Sequence, residues 1–540
     1  MSENHWHLFI DDHEVGRATG FDRVVHHPRA MGIVIPADKP WETTGIQLNH
    51  IERRPDGSFL GLCSTMWWDM DYGAKTPPSR VTHFNDKAHH VLHRIGYLTS
   101  ADGVHWEKPS LGLVDAPSGI DRTHHAPFPT PTGSSKDNNL GVPFVVVTNL
   151  AQYGNVTDPA KRFALRISPD HSGAAGIGSN HIYAPRGYFA AELPDFLNDP
   201  HWRDKLVDAG SNFEPRRSVL QFWDDQHEEW VALSQGVIGH WIPSREVARF
   251  ASKDLINWTS TSVLYPDAAD PHTPQYYDEP MGMTPFYAEG MVFGLLSWFH
   301  SDRSHPEGGP TFDPTPDHPA MWPWCRKGTN EMRITVSRDG GYTWDRAASR
   351  EAWIPHGTEH DAYDRLVIGC HPPVHVGDED WFYCTVIDGD HLGIRNDPDQ
   401  NTYYHDRLPR HQIGLYIQKH NRYVSLQAHN QREVLITKPV TVNGDTLELN
   451  VDGSRGRVRV GIADAAPVLT FNGTTPSTAA HLRVTSLLPG FGFDDGQPIY
   501  ANSTRDTVSF SGADVAALRG RSVCLLFEMV DANLYGFRFA

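Results

Sequence analysis

The stretch "SADGVHWEKPSLGLV", residues 100–114, decides how the chain folds. It gathers Ser100, Asp102 and Gly103 within four positions and closes them with Trp106. Short oxygen-bearing side chains cap a turn by accepting from backbone N–H groups, glycine permits positive φ, and the indole covers the turn's apolar side. An alternating run, "RIGYLT", leads into it, the pattern of a half-buried strand. A single such turn fits any surface, whereas a recurring one implies a repeated architecture.

It recurs. "RFALRISPDHSG" carries Ser168 and Asp170 without the Trp, "EVARFASKDLINW" carries Ser252, Asp254 and Trp258, and "EMRITVSRDGGYTW" carries Ser337, Asp339 and Trp344. The serines are 68, 84 and 85 residues apart, and a further strand with different turn chemistry, "IGLYIQKHNRYVSL", starts at Ile413. Chance repetition of a common turn does not explain the matching strand before each copy. Upstream lie longer segments at 45–68, 138–150, 216–237, 281–300 and 366–389. Most read as apolar strand, polar turn ("RPDG", "WDDQHEE", "YAEG", "VGDED") and apolar strand, the pattern of a hairpin. A lone hairpin cannot bury its own face, but stacked ones can, and a long period signals a propeller or solenoid. After residue 425 the texture changes to clean alternation with "NG" and "DG" turns and no helical period. The expected fold is all-β: a five-bladed β-propeller over 1–424 followed by a C-terminal β-sandwich over 425–540.

The bulk numbers agree with this and exclude several functions. A chain of 540 residues exceeds one ordinary core. A net charge of −19 argues against nucleic acid or an anionic membrane as partner and is compatible with a neutral sugar. The five cysteines (Cys63, Cys325, Cys370, Cys384 and Cys524) are scattered with no CxxC pair, so neither a disulfide framework nor a structural zinc site is expected. No apolar run is long enough to span a membrane, and "MSENHWHLFIDDHEV" lacks the basic and apolar regions of a signal peptide, so a cytoplasmic location is expected.

Taken together, "LFIDDHEV", "PWE", "SADGVHWEKPSLGLV", "KDNNL", "MTPFYAEGMVFGLL", "VSRDGGYTW", "TKPVTVNGDTLELNV" and "DANLYGFRF" resemble an uncharacterised branch of the five-bladed glycoside hydrolases of the fructanase and arabinanase superfamily. That is the group of families 32, 43, 68, 117 and 130, and the resemblance covers nearly the whole chain. It implies three acids at one mouth of the central funnel: a base or nucleophile, a proton donor to the leaving oxygen, and one that orients the sugar and tunes the donor.

Acids at or just before each inner strand are Glu42, Asp137, Glu214, the pair Asp278 and Glu279, and the pair Asp361 and Asp364. Glu214 and Glu279 each precede a proline that stiffens the backbone, which makes them the expected general acids. Asp137 and Asp364 are the expected base or nucleophile and orienting acid, with Glu42 as fallback base. Asp278, Asp361, Arg216, His240, His300, His360 and Trp241 are the expected substrate contacts, an Arg being able to grip a carboxylate or hydroxyl through two N–H groups. Trp67, Trp68, Trp298 and Trp322 are further candidates for stacking on a sugar face. With 32 histidines, a divalent metal at the propeller axis is a possible addition, although no cofactor is required. The expected activity is hydrolysis of a terminal glycoside, a furanoside among the options. The alternatives are a metal-dependent lyase or phosphorolytic enzyme, or a non-catalytic carbohydrate-binding propeller. A homo-oligomer is left open.

Overall fold

The computed structural model describes residues 4–39, 42, 45–68, 91–110, 145–149, 163–167, 186–190, 207–208, 221–237, 245–253, 257–271, 276–302, 327–346, 348–359, 362–389, 410–472 and 475–540. Among them all regular structure is β-strand apart from two 3-10 turns, Ala348–Arg350 and Val515–Leu518. No helix among these residues is long and apolar enough to cross a membrane.

Five antiparallel units follow one another along the chain. Unit one is Gly45–Arg53, Phe59–Trp68, Val91–Ser100 and Trp106–Glu107. Unit two is Val145–Asn149, Phe163–Ile167, Arg186–Ala190 and Val207–Asp208. Unit three is Gln221–Asp224, Glu229–Val237, Arg245–Ser252 and Thr259–Leu264. Unit four is Tyr276–Ala288, Met291–Asp302 and Lys327–Ser337, extended by bridges from Val336 to Asp345 and from Met332 to Ile354. Unit five is Leu366–Cys370, Glu379–Ile387 and His411–Lys419, completed by a strand from near the start of the chain, Arg29–Ile35.

Two of the units hand on to the next in the same way. The third strand of unit four meets the first of unit five in a parallel bridge, Asn330 opposite Leu366. Unit five meets unit one likewise, His411 opposite Gly45. The apolar cores lie between units. One joins Phe222 and Val231 of unit three to Phe293 and Met332 of unit four and Phe382 of unit five. Another joins Ile46 and Phe59 of unit one to Tyr383 and Leu415 of unit five.

The turn at residues 100–106 links the third and fourth strands of its unit, and its chemistry is local. Asp102 Oδ1 accepts from the N–H groups of Val104 and His105 at 2.8 Å, Ser100 Oγ accepts from Gly103 at 2.8 Å, and the Trp106 indole donates to the Gly103 carbonyl at 2.9 Å. Asp339, Ser337 and Trp344 repeat this set around a turn one residue longer. Each turn also docks on the unit before it. The Tyr383 hydroxyl of unit five donates to the Gly103 carbonyl, and Arg249 Nε of unit three donates to the Gly340 carbonyl, both at 2.8 Å. Gly103 (φ 78°) and Gly340 (φ 70°) are left-handed, and a Cβ would strike Tyr383 and Phe59 at the first and Asp224 at the second.

Beyond the units, two six-stranded sheets face each other across one core. In the first the order is Phe21–Val25, Val424–Ala428, Ala532–Phe539, Leu447–Asp452 and Asn502–Thr507, with His7–Leu8 on Ala532–Phe539. In the second it is Val15–Ala18, Glu433–Thr437, Ser522–Val530, Arg457–Asn472 and Thr475–Leu487, with Val440–Thr441 on Ser522–Val530. Leu449, Leu534 and Phe537 from one sheet pack with Val460, Leu525 and Phe527 from the other.

Two sequence expectations need correction. The first 25 residues do not go with the repeated units: three of their strands pair with strands from the last quarter of the chain, which offer edges that local patterning cannot reveal. Cys370 and Cys384 also form a disulfide, because a register shift after Val367 sets them directly opposite on neighbouring strands. Residues 303–326 lie outside the described residues, and the residues on either side belong to the second and third strands of unit four.

Candidate active site

Among the described residues, acids stand at or just ahead of the first strands of units one, four and five: Glu42, the pair Asp278 and Glu279, and Asp364. Side chains alternate along a strand, which sends neighbouring Asp278 and Glu279 to opposite faces. Both are buried. Asp278 accepts from the Trp298 indole at 3.1 Å and pairs with His300 Nδ1 at 2.9 Å. The other nitrogen of His300 lies 3.2 Å from Glu331, whose second oxygen takes Arg333 Nε at 2.7 Å. The result is a chain of alternating charge across all three strands of unit four. Burial works against a charged imidazole, but the hydrogen bonds to Asp278 and Glu331 outweigh it and push His300 up to about 9. Its side chain keeps 31% of its exposure, so the imidazolium is presented to solvent.

On the opposite face Glu279 is held by the buried Arg245 through a guanidinium contact and a backbone N–H, each at 2.9 Å. A carboxylate gripped this way is an anionic anchor, which differs from the proton-donor role expected for it.

Asp364 stands two residues before the first strand of unit five. Its Oδ2 accepts from the Tyr416 hydroxyl at 3.3 Å, and among the described residues neither Lys nor Arg pairs with it. Burial raises its carboxyl above the ordinary range, more than the hydrogen bonds and the nearby His356 lower it. The His356 ring in turn lies 6.1 Å from that of His300. His356 therefore stands near both His300 of unit four and Asp364 of unit five.

Glu42, the fallback base, is fully buried. Its Oε2 accepts from Lys108 Nζ at 2.7 Å and from the N–H groups of Asp38 and Lys39 at 3.0 and 3.1 Å. Lys108 also contacts Asp38 and the Pro36 carbonyl, and the two carboxylates hold its ammonium above the usual range against burial. This ion pair fastens the turn at 36–42. Trp298 is buried between the guanidinium groups of Arg333 and Arg346, each 4.6 Å from its ring, so it is a packing residue and not a sugar platform. Asp137, Glu214, Arg216, His240, Trp241, His360 and Asp361 lie outside the described residues.

Glu331, Arg333 and His356 were missed in the sequence. The available signals were an acid and an arginine two positions apart inside an otherwise apolar strand, "NEMRITV", and a histidine in "IPHG" just after a buried run. Among the described residues, the groupings able to hold a metal ion include none of these side chains: Asp224, His227 and Glu229, and His375, Asp380 and His420.

No family model matches the chain, and no curated protein matches it. Among solved structures the chain is similar to a glycoside hydrolase at 9% identity, covering 73% of this chain and 92% of the other, with a TM-score of 0.38. It is similar to a glycosyl hydrolase from Bacteroides ovatus at 11% identity, covering 75% and 97%, with a TM-score of 0.37. It is also similar to a β-1,2-mannobiose phosphorylase from Listeria innocua at 12% identity, covering 77% and 97%, with a TM-score of 0.36. At these scores the likeness carries no argument, and the functional reading rests on the chain's own residues.

Proposed function

We propose that the chain is a carbohydrate-active enzyme that cleaves a terminal glycosidic bond at the mouth of a five-bladed β-propeller, with the two facing sheets as an appended β-sandwich. The repeated hand-over from unit four to five and from five to one supports the ring. The observation that carries the chemistry is the Asp364 carboxyl, raised by burial beside the Asp278–His300–Glu331 chain. A carboxyl raised in this way holds its proton more readily than a free one and is able to pass it to a departing sugar oxygen, while Asp278 supplies anionic charge to an oxocarbenium-like transition state. Glu279, fixed by Arg245 on the opposite face of the strand, anchors that strand and does not meet the sugar. Asp137 and Glu214 remain candidates for the carboxylate on the opposite face of the sugar.

Phosphorolysis is the alternative form of the same cleavage. Both ring nitrogens of His300 are taken by Asp278 and Glu331, so an attacking phosphate would need its cation from another residue. The test is turnover of a panel of aryl furanosides and pyranosides, each with and without phosphate. Release in plain buffer supports hydrolysis, and release only with phosphate supports phosphorolysis. Sugar binding without turnover under either condition, unchanged in Asp364→Asn, refutes both and leaves a binding protein.

A further inference from the structure

At the end of unit five opposite the mouth, two imidazoles and a carboxylate converge. Asp380 is fully buried. Its Oδ1 meets Nδ1 of His375 at 2.6 Å and Nδ1 of His420 at 2.9 Å. Its Oδ2 accepts from the Asn421 N–H at 3.3 Å and from the Tyr423 hydroxyl. Among the described residues neither Lys nor Arg forms an ion pair with it. We propose that His375, His420 and Asp380 bind a divalent transition-metal ion of the zinc type through those two Nδ1 atoms and Oδ1.

Four features support the assignment. The three donor atoms lie within 4.8 Å of one another, close enough to share one ion after small side-chain rotations. The donor set, two imidazoles and one carboxylate, suits zinc and its neighbours better than calcium or magnesium. His375 keeps 56% of its side-chain exposure, which gives the ion a path in and leaves a fourth position for water. An outer partner is also at hand. His420 Nε2 has the Asn421 amide nitrogen at 3.2 Å and Glu289 Oε1 at 3.8 Å, and Glu289 is itself held by the Trp6 N–H at 2.7 Å and the Asn421 amide at 2.8 Å. A small rotation would bring the Glu289 carboxylate onto the far nitrogen, where such a partner orients a ligating ring and fixes its tautomer. On binding, the ion takes the place of the protons that Nδ1 shares with Oδ1. A neutral ring moves its proton to Nε2, and a charged ring sheds one to solvent.

The second cluster shows what a filled seat looks like. Between Asp224 and Glu229 stands the guanidinium of Arg249, 2.9 Å from one carboxylate and 2.8 Å from the other. That cation already occupies the centre. At Asp380 the partners in ion-pairing range among the described residues are the two imidazoles themselves, which can give up their shared protons to an ion. The Asn450 amide of the two-sheet module donates to the His420 carbonyl at 2.9 Å. A bound ion would therefore brace unit five, the turn at Glu289 and the two-sheet module against one another.

The experiment uses the full chain, stripped with EDTA, desalted, and titrated with zinc and separately with cobalt. Metal per chain after gel filtration, cobalt absorption in the visible and melting temperature are measured for the parent, His375→Ala and His227→Ala. The proposal expects the parent and His227→Ala to retain one more zinc per chain than His375→Ala. It also expects zinc to raise their melting temperature, and the affinity to fall at least about tenfold in His375→Ala. Equal zinc content in parent and His375→Ala, no zinc uptake by the parent, or a loss in His227→Ala instead would overturn it.

Discussion

Glu42 and Asp364 occupy the same station in neighbouring units, just ahead of a first strand, and their surroundings differ in kind. Glu42 is sealed from solvent and given a lysine and two backbone donors. Asp364 is only partly buried and is given a tyrosine hydroxyl, with no described cation in contact. Burial raises both carboxyls. The first is answered by a lysine and holds a turn in place, and the second stands partly exposed without a described cation. Position in a repeat nominates an acid, and the partner supplied by distant sequence decides what the acid does.

The largest effect that would break this comparison is catalytic. Asp364→Asn is expected to lower turnover by about 10²–10⁴-fold, the contribution typical of a positioned proton donor. The same change should not lower the melting temperature at neutral pH. A carboxyl raised in the folded state binds more protons there than when unfolded, so it weakens the fold as pH rises above the unfolded value, and the amide removes that effect. Melting curves at pH 7 beside turnover assays check both halves.

Next comes Lys108→Met, which strands a buried carboxylate and is expected to destabilise the fold by about 3–5 kcal/mol in denaturant titrations. If turnover collapsed while stability held, Glu42 would belong to the chemistry and the contrast with Asp364 would dissolve. Gly340→Ala places a methyl group against Asp224 from a left-handed backbone, and about 1–3 kcal/mol should be lost in the same titration. A neutral result would mean that the turn is not docked on unit three.

The smallest effect concerns pH. His300 is pushed up to about 9, so its stabilising contribution is complete below its ordinary value near 6.5 and is lost as pH rises through about 9. The melting-temperature gap between the parent and His300→Gln should close across that window. A gap that stays constant would show that the chain from Asp278 to Glu331 does not hold a charge.

The sequence made the turns legible because their bonds close within seven or eight residues, as between Ser100 and Trp106 or Ser337 and Trp344. Hairpins were legible for the same reason. What local pattern could not carry was pairing at a distance. Lys108 reaches Glu42 across 66 residues, Arg245 reaches Glu279 across 34, and Phe21–Val25 joins a strand some 400 residues away. Asp278, His300 and Asp364 could be nominated from their place in the repeat. Glu331 and His356, which connect them, could not, because an isolated acid in a strand or a histidine in a connecting segment is common without a site.

The most direct test of the central claim is the leaving-group dependence of the Asp364→Asn enzyme on aryl glycosides of a sugar that the parent turns over. A missing proton donor matters only when the departing oxygen needs the proton. The account predicts that turnover falls by at least about 10²-fold for a poor phenol leaving group and little for an activated nitrophenol. An equal fall for both, or no fall for either, would contradict the assignment of Asp364 as the acid.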